Sequence, residues 1–179
     1  MARDDIEIEE LRSLLDFNPE TGELTWKVSR SRVKRGAPAG RVGDQGYVTV
    51  GLRGGFYRGH RLGFAIHYGR WPSGLLDHIN RNRSDNRICN LRECTNAENL
   101  RNTGLYASNR SGRKGAYFDK AAGKWRALIR VSGKKIYLGY FDTVDAAGDA
   151  YDRAAIEHFG DFAAPLEKPG KQCAPPSRR

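Results

Sequence analysis

Residues 124–131, KWRALIRV, alternate between two kinds of side chain. In an extended chain Trp125, Ala127, Ile129 and Val131 share one face, and Lys124, Arg126, Leu128 and Arg130 share the other. A period of two restricts the segment to a strand with one covered and one open face. The stretches GAYFD and KKIYLGYF read as further strands, set off by the turn sequences KAAG and SGK. The cover comes from TVDAAGDAYDRAAIEHF, where Val144, Ala147, Tyr151, Ala154 and Ala155 recur at helical spacing. Its alanines allow close approach to a sheet. Asp142 or Thr143 suits the N-cap, and Asp145 suits the positive first turn. Charge is sorted the same way. Residues 110–137 hold nine Lys or Arg and one acid, net +8, whereas 138–163 hold one Arg and six acids, net −5. A basic sheet backed by an acidic helix has one side for a polyanion and one for water.

The whole chain carries +10 in 179 residues, with a sequence pI of about 9.8. The expected partner is nucleic acid or another anionic surface. The length fits one domain or two small ones. No apolar run approaches the roughly 20 residues of a membrane span. The opening MARDDIEIEE is acidic and lacks the apolar stretch of a secretory leader. Cys89, Cys94 and Cys173 are odd in number and include no CxxC pair, which argues against a disulfide framework and a zinc ribbon. Ordinary thiols in a reducing cytoplasm are expected.

Upstream, DDIEIEELRSLLDF places Ile8, Leu11, Leu14 and Leu15 on one face of a short helix. NPETGEL is a turn and LTWKV a strand. SRSRVKRGAPAGRVG is a basic, glycine-bearing loop suited to a phosphate backbone. YVTVGL and FYRGHRL read as strands joined through RGG. HRLGFAIHYGRW reads as a helix ended by Gly69 and Pro72. His67 and His158 fall in predicted helices and read as structural.

The chemistry concentrates in LLDHINRNRSDNRICNLRECTNAENLRN. Phosphodiester hydrolysis needs a base to activate water, a divalent cation and a site that tolerates a polyanion. His78 titrates near neutrality, and the adjacent Asp77 can bind a hard cation. Neighbours on a strand face opposite sides, so the backbone must twist or loop for both to serve one site. Asn99 lies 22 residues beyond Asp77. Thr95 and Glu98 carry helix-start chemistry just before it. A two-strand loop followed by a helix would return the Asn99 amide oxygen over Asp77. Arg81, Arg83 and Arg87 are expected phosphate contacts. His60 reads as a packed, hydrogen-bonded histidine, with an accessory role near the phosphate as the alternative.

This stretch resembles the HNH endonuclease motif, in the variant of phage and intron-type homing endonucleases whose third position is Asn. The match runs from about Tyr57 to Asn102, and YRGHRLGFAIHYGRWPSG is similar to that family's lead-in. The resemblance implies a ββα-metal unit with His78 as general base. It implies Asn90 as the residue that braces the loop and orients His78. It implies Asp77 and Asn99 as ligands of a catalytic Mg²⁺ or Mn²⁺, so that His78, Asn90 and Asn99 form the catalytic set. Asn in place of a second His favours oxygen-seeking cations over Zn²⁺.

Residues from about Ser108 to Ala163 resemble the Apetala/ethylene-response-factor DNA-binding domain, most sharply in YLGYFDT and AYDRAA. That domain implies a three-stranded antiparallel sheet on one helix, with the sheet in the major groove. It places Lys114, Tyr117, Arg130, Lys135 and Tyr137 at DNA-contact positions. Arg126 and Lys134 join them by charge and alternation. Leu128 stands where the plant pattern often has Glu, and Tyr117 and Lys135 where it often has Arg, so the plant target sequence does not carry over. Trp125 reads as core.

The expected fold class is α+β, a ββα-metal nuclease domain followed by a three-stranded sheet packed on one helix. Residues 1–56 lead into a nuclease core at 57–102. A linker at 103–109, the DNA-binding domain at 110–163 and a disordered tail at 164–179 follow. The expected function is metal-dependent cleavage of double-stranded DNA by a cytoplasmic protein of a phage or another mobile element, in the bacterial or infected host cell. A monomer is favoured and no membrane is involved. The alternative is a sequence-specific DNA-binding regulator with an inactive nuclease domain.

Overall fold

The computed structural model of the chain describes residues 4–30 and 33–163. The expected tail at 164–179 lies outside them. The chain divides into two compact α+β units, with the boundary between Thr95 and Asn96.

The first unit opens with helix α1 (Ile8–Leu14) and strand β1 (Leu15–Phe17), which pairs antiparallel with β2 (Leu24–Trp26). The turn between them follows from its residues. Asn18 Oδ1 accepts from the backbone N–H groups of Glu20 at 2.9 Å and Thr21 at 3.2 Å, an Asx turn. Gly22 then turns with φ +76°. Strands β3 (Arg41–Val42), β4 (Val48–Leu52) and β5 (Gly55–Arg58) form a second antiparallel sheet in that order. The strand expected over FYRGHRL stops at Arg58, and His60 to Leu62 belong to helix α2 (Gly59–Tyr68). Gly69 caps α2 in the left-handed conformation, donating to the Ala65 carbonyl. Leu11, Leu15, Val50, Leu52, Tyr57, Leu62 and Ala65 fill the core between these elements. Gly63 admits the Phe17 ring, which an added Cβ would meet at 2.5 Å.

Strand β6 (Leu75–His78) pairs antiparallel with β7 (Leu91–Cys94). Leu76 packs with Phe64 and Leu91, whereas Leu75 is exposed. The Cys94 thiol donates to the Leu75 carbonyl at 3.8 Å. Cys89 is disulfide-bonded, so the expectation of ordinary thiols does not hold for it.

The second unit begins with helix α3 (Asn96–Arg101). Strands β8 (Ala116–Asp119), β9 (Lys124–Val131) and β10 (Lys134–Phe141) make an antiparallel sheet with β9 central. Helix α4 (Val144–Phe159) covers it, and the Thr143 hydroxyl caps α4 by accepting from Ala146 N–H at 3.1 Å. Ala127 and Ile129 are buried beneath Ala147, Ala154 and Ala155, as alternation and helical spacing require. The acidity of α4 has a local purpose. Arg113 bridges Asp145, Asp149 and Asp152, and its guanidinium lies where a Cβ on Gly148 would be, 2.2 Å away. No helix of the described residues is long and apolar enough to cross a membrane.

Candidate active site and nucleic-acid face

Asp77 stands opposite Arg92 in the β6–β7 register. The Arg92 Nε and Nη2 donate to one Asp77 oxygen, Oδ2, at 3.0 and 2.7 Å. Asp77 is only 7% exposed. A carboxylate this buried needs a cationic partner, and the hairpin register supplies one.

His78 follows on the same strand and is 4% exposed. Its Nε2 lies 3.1 Å from Asn86 Oδ1. In the tautomer whose Nε2–H donates to this amide oxygen, the basic lone pair resides on Nδ1. Burial pushes the His78 pKa down, opposed by the Asn86 bond and the Asp77 charge. The downward shift favours the neutral imidazole, the form a base requires.

The loop that carries Asn86 is built from asparagines. Asn90 Nδ2 donates to the Asp85 carbonyl at 2.7 Å and to Asn80 Oδ1 at 3.0 Å, and Asn90 Oδ1 accepts from Asn80 N–H at 3.0 Å. Asn90 thus braces the loop, and the side chain that meets His78 is Asn86. The β1–β2 turn clamps the same loop from outside. Ile88 N–H donates to the Pro19 carbonyl at 3.0 Å. A Cβ on Gly22 would lie 2.5 Å from the backbone of Asn86 and Arg87. Asn86 sat in the motif but without a spacing signal, because its role depends on a loop closed by residues some 65 positions earlier.

His60, at the start of α2, packs edge-on against His78 with ring centroids 4.9 Å apart. Tyr47 completes the cluster, 5.4 Å from His60 and 5.9 Å from His78. Burial, then the His78, Arg61 and Arg58 charges, lower the His60 pKa to about 3. His60 is packed as expected, but its buried Nδ1 has no hydrogen-bond partner among the described residues.

The three motif arginines differ. Arg87 grips Asp85 with Nε and Nη2 at 2.8 and 2.6 Å, which lowers the Asp85 pKa and engages the guanidinium. Arg83 Nη1 donates to the Gln45 carbonyl at 3.1 Å. Arg81 is exposed, with φ +66°.

For a divalent cation the relevant donors are hard oxygens. Asp77 offers a carboxylate at a position that already balances a positive charge, the Arg92 guanidinium. Asn99 lies on α3 in the second unit. The Asp77 carboxylate is the kind of hard oxygen donor taken by Mg²⁺, an ion that fills its remaining positions from phosphate and water. No group of three or more His, Cys, Asp or Glu is placed to hold a metal among the described residues.

In the second unit, cross-strand pairs arrange the open face in rows. Tyr117 and Tyr140 flank Arg126, Tyr137 faces Leu128, and Lys135 faces Arg130. Tyr117 and Tyr137 are each about half exposed, at 53% and 52%. Lys134, opposite Val131 in the register, is exposed at the β9–β10 turn rather than in these rows. Tyr140, which the sequence reading passed over, donates to Asp119 Oδ2 at 2.8 Å and packs on Tyr137 at 5.6 Å. Lys114 is turned to other partners, the carbonyls of Arg101 and Thr103. Trp125 is half-buried against Phe118, as its alternation implied.

Residues 57–101 match the HNH endonuclease family. Over 53 residues, 30% of the chain, the sequence is 47% identical to APETALA2-like protein 2 of Oryza sativa. It is 45% identical over 53 residues to the AP2-like ethylene-responsive transcription factor TOE2 of Arabidopsis thaliana. The chain spans only 12% and 11% of the length of these relatives. A solved structure described as DNA binding and cleavage by the HNH homing endonuclease I-HmuI aligns over 86% of this chain and 90% of that one. Its TM-score is 0.42 at 19% identity, a likeness too distant to align individual residues.

Proposed function

We propose that this chain, which carries an HNH endonuclease domain within residues 57–101, is a metal-dependent endonuclease that hydrolyses phosphodiester bonds in duplex DNA. The observation that carries the reading is the adjacency of Asp77 and His78 at the end of β6, with His78 held by Asn86. In this reading His78 Nδ1 takes the proton of the attacking water. Asn86 fixes the tautomer and the ring plane, and Asn90 keeps the loop in place. Asp77 and Asn99 would hold a divalent cation, Mg²⁺ or Mn²⁺. Such an ion stabilises the charge that develops on the phosphate and the leaving 3′-oxygen. Arg81 and Arg83 contact the strand being cut. The sheet of the second unit, through Tyr117, Arg126, Arg130, Lys134, Lys135 and Tyr137, sets the enzyme on its duplex, which raises the local concentration of substrate. Lys114, which donates to the Arg101 and Thr103 carbonyls in the free chain, belongs to the same proposed face. The domain organisation, the monomeric state and the setting in a phage or mobile element of a bacterial cytoplasm belong to the same proposal.

One observation favours the second reading, a DNA-binding regulator without nuclease activity. Arg92 occupies the Asp77 oxygen with two hydrogen bonds and would compete with a metal there. Supercoiled plasmid incubated with Mg²⁺ or Mn²⁺, beside an EDTA control and His78→Ala, separates the two. The endonuclease converts plasmid to nicked or linear form only as wild type with metal. Binding without conversion under either ion would establish the regulator.

A further inference from the structure

Several arginines of the first unit are paired with acids. Arg61, Arg70, Arg87 and Arg92 are bridged to the carboxylates of Asp4, Glu93, Asp85 and Asp77. Arg58 and Arg83 are different. Among the described residues neither is paired with an acid, and both guanidinium groups lie against one aromatic ring, that of Tyr47, at 4.6 and 4.9 Å from its centroid. Gln45 fixes them there. Arg58 Nη2 donates to its side-chain oxygen and Arg83 Nη1 to its backbone carbonyl, each at 3.1 Å. The turn that presents Gln45 and Tyr47 is itself closed by Gly43 N–H to the Tyr47 carbonyl at 2.9 Å and Gly46 N–H to the Gly43 carbonyl at 2.8 Å.

Two uncompensated cations held within contact of one ring repel each other unless an anion joins them. Cation–π packing lowers that cost without neutralising the charge. Guanidinium pairs whose planes are set in advance suit phosphate oxygens, which accept their N–H groups in a fork. The place is equally informative. The Tyr47 ring is 5.9 Å from the His78 ring and 5.4 Å from that of His60. Among the described residues, His60 Nδ1 is the one buried side-chain polar atom with no partner. Such an atom marks a layer whose hydrogen bonds are completed by something the chain does not supply.

We infer that Arg58, Arg83 and Tyr47 form a binding site for one phosphodiester of a DNA strand, next to the phosphate attacked at His78. Gln45 is the positioning residue of this clamp. The inference rests on the endonuclease reading for the identity of its ligand. It adds to that reading Tyr47, outside the matched segment, and Arg58, at its start, and it couples the β3–β4 turn to the active site.

The test uses the full chain in EDTA, so that cleavage does not intervene. A fluorescein-labelled duplex of about 30 base pairs is titrated by anisotropy at salt from about 50 to about 200 mM. The variant carrying Arg58→Gln and Arg83→Gln should bind about tenfold more weakly at low salt. The slope of log K against log salt should become shallower by about 1. Arg83→Gln alone, on an exposed loop, should move both quantities in the same direction and serves if the double variant melts early. Affinity and slope equal to wild type in Arg83→Gln and in a folded double variant would overturn the site, as would a wild type that does not bind the duplex at low salt. Plasmid cleavage in Mg²⁺ is read separately. A wild type that shows the binding changes but never cleaves sinks the endonuclease reading and keeps the phosphate site. A wild type that cleaves while the slope stays unchanged sinks the phosphate site alone.

Discussion

The β6–β7 hairpin and the β8–β10 sheet treat charge in opposite ways. In β6–β7 and its loop the charged and polar groups turn inward and meet one another. Asp77 bonds Arg92, Asp85 bonds Arg87, and His78 bonds Asn86. In β8–β10 they turn outward in rows of arginine, lysine and tyrosine with the apolar face beneath. The inward arrangement fixes a few atoms in place, which chemistry needs. The outward one offers a broad charged surface, which binding a polyanion needs. The division implies that damage to either region should leave the other's readout standing.

The largest separation is expected from His78→Ala. A general base contributes roughly 10²–10⁴-fold, so plasmid cleavage should fall by at least about 100-fold while duplex affinity by anisotropy stays within about twofold. A variant that lost binding equally would break the comparison.

Gly22→Ala reaches the same base from the far side of its loop. The new Cβ would press on the Asn86 and Arg87 backbone at 2.5 Å, at a residue whose φ is +76°. Together the clash and the conformation should cost about 2–4 kcal/mol and slow cleavage. Gly36→Ala, at φ +83° with nothing within 4 Å, isolates the conformational part at about 1 kcal/mol. Equal melting of the two variants would show that the turn does not hold the loop.

Arg113→Ala is the counterpart in the second unit. It removes the cation from three carboxylates, two of them largely exposed. After allowance for screening the loss should be about 1–3 kcal/mol. Hydrogen exchange should report it in α4 and the sheet and leave α2 and β6 protected. Arg130→Ala with Lys135→Ala, a cross-strand pair, should flatten the salt dependence of binding by about 2 in slope and leave melting unchanged.

The smallest effect distinguishes the regions by pH. His60 has a folded pKa of about 3 against an ordinary 6.5. Below pH 6.5 the unfolded chain takes up a proton that the folded one refuses. Stability is therefore complete above 6.5 and declines as pH falls toward 3. Urea midpoints at pH 7 and 5 should differ by more in wild type than in His60→Gln, and the excess should vanish if His60 is not buried as described.

Legibility followed the same division. Strand β9 and helix α4 were readable because alternation and helical spacing act within one element, and Ala127, Ile129 and Ala147 are buried accordingly. The Asp77–His78 pair was readable as chemistry. Its partners were not. Arg92 meets Asp77 only through the hairpin register, and Asn86 meets His78 only after the distant Asn18–Gly22 turn closes the loop. Arg87, one of three similar arginines in the motif, differs from the others because Asp85 is within reach. Arg113 was hidden among nine basic residues, since its three acids come together only on a folded helix.

The most direct test compares two variants on one preparation of supercoiled plasmid with Mg²⁺, reading cleavage and binding in parallel. His78→Ala should bind as wild type and cut nothing, whereas Arg130→Ala with Lys135→Ala should bind weakly and regain wild-type cutting at high protein concentration. Cleavage by His78→Ala at the wild-type rate would contradict the account.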